Sequence, residues 1–277
     1  MAHRKPILIT GASSGIGYYC AKELSKNHDY QVFATVRKQE DFKRLKQEGL
    51  SVLFLDLNSS ESIKKCAKEF LSKTDGKIYA IFNNAGYGQP GAVEDISDEA
   101  LKQQFQTNFF GLHSITREFL PIMRKQGYGK IINHSSVLGF VSLRFRGAYN
   151  ASKYALEGLS DTLRLELINS DIWVSLIETG PVRSRFRKNA LDKFLENIDR
   201  KNSYFHDEYE KKLASLQSDE DVLFTLGEDA VFSALLEILE SKEPKAKYRV
   251  TKVTTIFWFL KRVLSTKRLD RILRAIE

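Results

Sequence analysis

Hydrophobic positions along the chain follow two rhythms. Short unbroken apolar runs occur at "PILIT" (6–10), "QVFAT" (31–35), "SVLFLD" (51–56), "IYAIFN" (78–83), "KIINHS" (130–135) and "IWVSLIE" (172–178). Runs of that length and β-branched content read as strands buried on both faces. Between them, apolar residues recur every three or four positions over 15–27, 39–48, 59–72, 97–125 in one or two pieces, and 147–169. That spacing predicts helices. Strand and helix in alternation predict an α/β fold with a doubly wound parallel sheet and helices on both faces. Ligands of such sheets sit beyond the carboxyl ends of the strands, near the point where strand order reverses. What each strand delivers at that end therefore decides the chemistry.

The first strand delivers "TGASSGIG", with Gly11, Gly15 and Gly17 spaced GxxxGxG and Ser13, Ser14 and Ile16 between them. Glycines let a backbone turn tightly and approach a pyrophosphate, which rests on the helix N-terminus. A plain strand–helix turn is the alternative, but the motif follows the first strand of a βαβ pattern, as a Rossmann fold requires. The second strand ends in "VFATVRK", with Arg37 and Lys38 where an NAD-preferring fold carries a carboxylate. A guanidinium grips a 2′-phosphate with paired hydrogen bonds, so the cofactor is read as NADP(H); a solvated basic turn is the alternative. Asp56, followed by Leu57, closes the third strand and either accepts from turn amides or from an adenine amino group. The fourth strand ends in "NNAG", placing Asn84, Ala85 and Gly86 for backbone contacts with neighbouring strands and cofactor. The fifth ends in Ser135 and Ser136, and Tyr149 follows at the start of the next helix.

A tyrosine followed four residues later by a lysine occurs three times: Tyr18 with Lys22, Tyr149 with Lys153, and Tyr248 with Lys252. On a helix this spacing puts both side chains on one face. Only Tyr149 and Lys153 follow a strand that ends in serine.

These ordered signatures, "TGASSGIG", Asp56, "NNAG", Asn108 in "NFFG", Ser136 in "SSVLG" and "YNASK", resemble the short-chain dehydrogenase/reductase family over residues 5–185. The fragments "IFNNAGYG", "QFQTNFFG", "SKYALEGLSDTLRLEL" and "VSLIETGPVRSRF" resemble its retinol-dehydrogenase and 17β-hydroxysteroid-dehydrogenase-like branch. They are most similar to the bacterial NADP-dependent aldehyde reductases within it. The resemblance implies that Tyr149 is general acid in reduction and base in oxidation. It implies that Lys153 tunes Tyr149 and holds the nicotinamide ribose, and that Ser136 donates to the substrate oxygen. It implies that Asn108 holds a water relaying protons to the lysine. A free tyrosine titrates near pH 10, and a neighbouring ammonium is expected to bring it toward neutrality. After the sixth strand, Pro181 and Val182 are expected to face the nicotinamide amide, and Ser184 stands for the family's threonine. Thr179 departs from the pattern, which has proline before Gly180.

The substrate is expected to be a small lipophilic aldehyde or ketone, reduced by NADPH. An oxidative hydroxysteroid or retinol dehydrogenase is the alternative. A non-catalytic NADP(H) sensor is disfavoured because Tyr149 and Lys153 are both present. Specificity is assigned to residues 184–226 and to "VLGFVSLRFRG", where Leu143, Arg144 and Phe145 are expected to narrow the pocket mouth. The aromatics of the first segment, Phe186, Phe194, Tyr204, Phe205, Tyr209 and Phe224, are read as packing more than pocket.

Composition changes this picture at one end only. The 277 residues include two cysteines, Cys20 and Cys66, each alone in a helical pattern, which suits a reducing cytosol and two free thiols. The apolar run near the N-terminus is too short for a signal peptide, so a cytoplasmic enzyme is expected, as one domain over 1–250. No metal site and no nucleic-acid partner are expected; a homo-oligomer is. The net charge of +8 lies mostly in residues 251–277, where seven cations face two carboxylates. There Val253, Ile256, Phe257, Leu260, Val263 and Leu264, then Leu269, Ile272, Leu273 and Ile276, recur on a helical face. Such a basic amphipathic tail either packs on its own domain or a partner subunit, the preferred reading, or lies on an anionic membrane.

Overall fold

The computed structural model describes residues 4–217 and 224–276. Among them, β1 (Lys5–Ile9), β2 (Tyr30–Val36), β3 (Ser51–Phe54), β4 (Ala80–Asn83), β5 (Tyr128–Ser136), β6 (Asp171–Thr179) and β7 (Lys247–Arg249) form one sheet. Its order is β3-β2-β1-β4-β5-β6-β7, and every neighbouring pair is parallel. The strand order reverses between β1 and β4, so the crevice expected to hold a ligand opens there. β3 stops at Phe54, two residues short of Asp56, because the chain turns: Asp56 Oδ1 accepts the Asn58 amide at 3.0 Å.

Successive strand residues point to opposite sides, and each side has its own core. Ile7, Ile9, Val32 and Ala34 face α1 (Gly15–Ser25), α2 (Gln39–Gln47) and α9 (Glu228–Glu240). Leu8, Phe33, Ile81 and Ile131 face α3 (Ser60–Ser72), α5 (Gly111–Gln126) and α6 (Gly147–Glu166). Cys20 and Cys66 are free thiols buried in these two layers. The predicted helical stretch 97–125 divides into α4 (Asp98–Phe105) and α5, joined by a π-helical turn over Gln106–Phe110. π-turns of this kind cluster at functional sites, and this one carries Asn108.

Three helices and one strand have no counterpart among the predicted elements: α7 (Phe186–Asn197), α8 (His206–Gln217), α9 and β7. β7 is only three residues long, too short for a period to show. α7 and α8 bury Phe194, Tyr209 and Leu213 against Ala92 and Phe145. Tyr209 ties them down by donating to Asp95 at 2.5 Å and accepting from the Ala92 amide at 2.7 Å. Phe194, Phe205 and Tyr209 thus pack, as expected, whereas Tyr204 is 88% exposed. Arg144 pairs with Glu208 of α8 at 2.8 Å. Residues 218–223 of the specificity segment lie outside the described residues.

The basic tail forms α10 (Lys252–Val263) and α11 (Thr266–Ala275). Val253, Phe257, Leu260, Leu269, Ile272 and Leu273 pack on residues 137–143, the loop between Ser136 and Tyr149. Ile256, Val263 and Ile276, expected on the same face, point outward. The loop is narrow and covers only half of the apolar arc.

α6, β6 and β7 together hold a partly buried charge cluster. Lys247 Nζ lies 2.7 Å from Glu157 Oε2, 3.3 Å from Asp161 and 3.8 Å from Glu178. One oxygen each of Glu157 and Glu178, and Ser135 Oγ, are buried without a partner. Burial, then Glu157, pushes the Glu178 carboxyl from 4.5 up to about 7, against the opposing pull of Lys247, Arg249 and Arg262. A raised pKa means that the folded chain holds a proton the unfolded chain has released. The associated stability is complete below pH 4.5 and is lost as pH rises through 7. Glu178→Gln, which cannot ionise, is expected to flatten that decline. Urea unfolding of both proteins across this window should show their difference growing with pH, to on the order of 3 kcal/mol at most.

Candidate active site

The glycine loop is shaped by close approach. Gly11 and Gly15 have φ of +67° and +56°, a region that side chains other than glycine rarely enter. A Cβ on Gly11 would lie 2.7 Å from Ala85 Cα, and one on Gly17 would lie 2.4 Å from Asn84 Nδ2. The loop and the "NNAG" segment are thereby one unit. Asn84 Nδ2 donates to the carbonyls of Thr10 and Gly11 at 3.0 and 3.2 Å, and the Ala85 amide donates to Thr10 Oγ1 at 3.0 Å. Ser13, Ser14 and Ile16 border the opening of α1. Ser184 closes over the loop from the other side, its Cβ 3.2 Å from where a Gly15 Cβ would stand. Pro181 and Val182 precede it, and Val182 is bridged to Leu226.

Arg37 and Lys38 are exposed just past β2, with Lys38 paired to Glu40 at 3.6 Å. Sequence reasoning missed a third cation. Arg44, on α2, donates to the Ser13 carbonyl at 2.5 Å and pairs with Asp41 and Glu48. Its signal lay in the helix that follows the basic turn, since only a folded α2 brings position 44 back to the glycine loop. Asp56 and Leu57 lie past β3; the Asp56 carboxylate serves its own turn, and the Leu57 carbonyl accepts from Gln106 at 3.3 Å. A tight glycine turn and a helix N-terminus fit the pyrophosphate of a dinucleotide, and Arg44 is held against the same loop.

Tyr149 and Lys153 share the buried face of α6, with Lys153 Nζ 5.7 Å from the phenol ring centre. Lys153 donates to the His134 carbonyl at 2.7 Å. Ser136 hydrogen-bonds the phenol and accepts the Leu138 amide at 3.1 Å. Asn108 is fully buried; its amide donates to the Tyr87 carbonyl at 2.8 Å and its oxygen accepts the Tyr87 amide at 3.1 Å. Those bonds fasten the π-turn to the segment after "NNAG", and Gly86 leaves the room, since its Cβ would lie 3.1 Å from Asn108 Oδ1. Phe186 lays its ring edge on Tyr149 at 5.2 Å, so this one aromatic of the specificity segment faces the site.

The electrostatics reverse one expectation. Burial pushes the Tyr149 phenol up to about 12, opposed by the Ser136 hydrogen bond and Arg146. Burial also brings Lys153 down to about 8, opposed by Glu157. Lys153 does not pull the phenol toward neutrality here, because both groups leave water together and desolvation penalises both charges. The phenol is thus a protonated donor at neutral pH. The other two tyrosine–lysine pairs do other work. Tyr18 donates to Glu48 at 2.5 Å on the exposed face of α1, with Lys22 3.4 Å from its hydroxyl. Tyr248 is on a strand rather than a helix, and its hydroxyl accepts the Lys245 amide at 3.0 Å.

A sequence profile described as short chain dehydrogenase matches residues 5–194. The Escherichia coli K12 uncharacterized oxidoreductase YbbO is 42% identical over 275 residues, covering 98% of this chain and 94% of that protein. Human retinol dehydrogenase 8 is 38% identical over 198 residues, 68% of this chain and 62% of its own. Human 17-beta-hydroxysteroid dehydrogenase type 1 is 31% identical over 261 residues, 90% and 78% of the two chains. A Burkholderia phymatum short chain dehydrogenase/reductase in complex with NAD superposes with a TM-score of 0.78 at 23% identity, over 94% of this chain and 93% of that one. The chain belongs to the short-chain dehydrogenase/reductase family, and within it is related to the retinol and hydroxysteroid dehydrogenases. It is an oxidoreductase.

Proposed function

We propose that this protein is an NADPH-dependent reductase of apolar aldehydes or ketones. The observation that carries the proposal is the buried, protonated Tyr149 beside Ser136, in a sheet whose glycine loop is held by Arg44 and whose second strand ends in the exposed Arg37 and Lys38. A bound nicotinamide supplies a hydride to the carbonyl carbon. Negative charge then grows on the carbonyl oxygen; Ser136 donates to it, and Tyr149 transfers its phenolic proton there. Lys153, buried one helical turn from the phenol, would bind the ribose hydroxyls. Asn108 holds the π-turn against Tyr87 and so fixes the floor under Lys153. Phe186, whose ring edge meets Tyr149, offers an apolar surface suited to a lipophilic substrate. The 3-ketodihydrosphingosine reductase of Bacteroides thetaiotaomicron, 34% identical over 215 residues, is named for such a ketone. A groove between α5 and α6, bordered by Leu112, Leu120, Leu156, Leu159 and Leu163, offers a face for a second copy.

Tyr149→Phe is expected to abolish NADPH oxidation with every aldehyde and ketone of a graded series while leaving NADPH binding nearly intact. Retained turnover would show that another group donates the proton. Arg37→Asp is expected to erase or reverse the preference for NADPH over NADH. A charged contact to phosphate contributes roughly 1.5–3 kcal/mol, about one to two powers of ten in kcat/KM. Equal use of both cofactors by the wild type would overturn the NADPH assignment.

Ile256, Phe259 and Val263 form an exposed stripe on α10, each about half exposed, amid Lys252, Lys261 and Arg262. The stripe supports peripheral contact with an anionic membrane, beside the loop that leads to Tyr149. Among the described residues no helix is long and apolar enough to cross a membrane. Phe259→Glu is expected to abolish co-sedimentation with anionic liposomes without loss of thermal stability; removal of the whole tail would instead uncover the apolar loop 137–143. Equal sedimentation of wild type and variant would exclude this surface.

A further inference from the structure

We propose that His134 is a positioning residue for the dinucleotide, fixed as the Nδ1–H tautomer and tying the glycine loop to the turn after β6. The inference rests on the assignment of a nicotinamide cofactor above. It starts from Asn84. The Asn84 Nδ2 group lies 3.0 Å from the Thr10 carbonyl and 3.2 Å from the Gly11 carbonyl. Both partners only accept, so the amide can take one orientation, with Oδ1 turned away from the loop. His134 Nδ1 lies 3.0 Å from that oxygen. An amide oxygen only accepts, so Nδ1 must carry the hydrogen.

The other ring nitrogen follows by exclusion. Burial, then the Lys153 ammonium, drives the imidazole down to about 3, so it is neutral and Nε2 keeps its lone pair. Thr179 Oγ1 is 3.3 Å from Nε2 and is the donor this lone pair needs. The same hydroxyl also lies 3.3 Å from the Ser135 carbonyl, which it can reach instead. The ring rests on Phe82, 5.9 Å between centres. The threonine is the residue that departs from the family's proline, which has no hydroxyl. His134 and Thr179 are thus a matched pair.

The span of this pair gives it a function. Asn84 Nδ2 occupies the space beside Gly17 and Gly11, so its position sets the glycine loop. Thr179 leads into Gly180, Pro181 and Val182, and Gly180 is pressed on Thr251, where its Cβ would lie 2.3 Å from Oγ1. One imidazole therefore joins the phosphate-side loop at the end of β1 to the nicotinamide-side turn at the end of β6. His134 also lends its backbone carbonyl to Lys153.

The test is a double-mutant cycle read by NADPH fluorescence titration of the full-length protein. His134→Phe keeps the bulk and removes both ring nitrogens; it is expected to weaken NADPH binding about tenfold. Thr179→Val removes only the hydroxyl and is expected to weaken it about threefold. The double variant should bind no worse than His134→Phe alone, because the second change deletes a bond already lost. An unchanged Kd in His134→Phe, strict additivity, or lowered melting temperatures with unchanged Kd would overturn the proposal. Nitrogen-15 NMR of the wild-type histidine rings gives a readout free of cofactor and of folding in the variants. A neutral His134 with its hydrogen on Nδ1 is expected at pH 6; hydrogen on Nε2 would overturn the assignment. If the wild type prefers NADH, the NADPH reading falls and the cycle is read with NADH; binding of neither overturns both.

Discussion

A Cβ at position 11 would stand 2.7 Å from the Cα of Ala85, and the cofactor end of the sheet depends on its absence. The sheet is parallel and its order reverses between β1 and β4, so the two chain segments leaving these neighbours must pass through one narrow space. Glycine at 11 and 17 lets them touch, and the Asn84 amide then fills the gap with hydrogen bonds rather than carbon. Buried carbonyls left without donors would cost about 1–3 kcal/mol each. The same contact that saves that cost also leaves the helix N-terminus open toward the crevice.

The face of α6 that carries Tyr149 and Lys153 illustrates a second consequence of burial. Tyr149 and Lys153 are held in a site dry enough to oppose charge on both. A protonated phenol is the form required of an acid, and a lysine near its own midpoint above neutrality can exchange protons with little driving force. The neighbours that temper these effects, Ser136 and Arg146 on one group and Glu157 on the other, come from the end of β5, the N-cap of α6 and the middle of α6. The family's reaction thus draws on a local desolvation as much as on a list of residue types.

The tail joins this site to the outside of the molecule. Val253, Phe257 and Leu260 hold the loop between Ser136 and Tyr149, and Thr251 meets Gly180. Residues that follow the last strand therefore support both the loop before α6 and the turn after β6. Lys252, Lys261 and Arg262 surround an apolar stripe on α10, and the Trp258 ring lies 4.1 and 3.8 Å from the guanidinium groups of Arg249 and Arg262.

Local pattern was enough for the six long strands, the five helices between them and the order of motifs at their ends. Those features repeat at periods of 2 or 3.6 residues, or are fixed by short-range turn chemistry, so neighbours in sequence carry them. β7 was illegible because three residues show no period, and α7 and α8 because their apolar faces are mixed with charge; α9 was legible in Val231, Leu235, Ile238 and Leu239, which recur at helical spacing. Arg44 and His134 were hidden for a different reason. Each acts on a residue far along the chain, Ser13 for one and Asn84 with Thr179 for the other, and only packing brings those partners within hydrogen-bond reach. The sequence by itself determined that Tyr149 and Lys153 share a face of one helix. Tertiary structure decided that the face is dry, and with it which way each proton leans, because desolvation depends on everything packed around a group and not on its spacing.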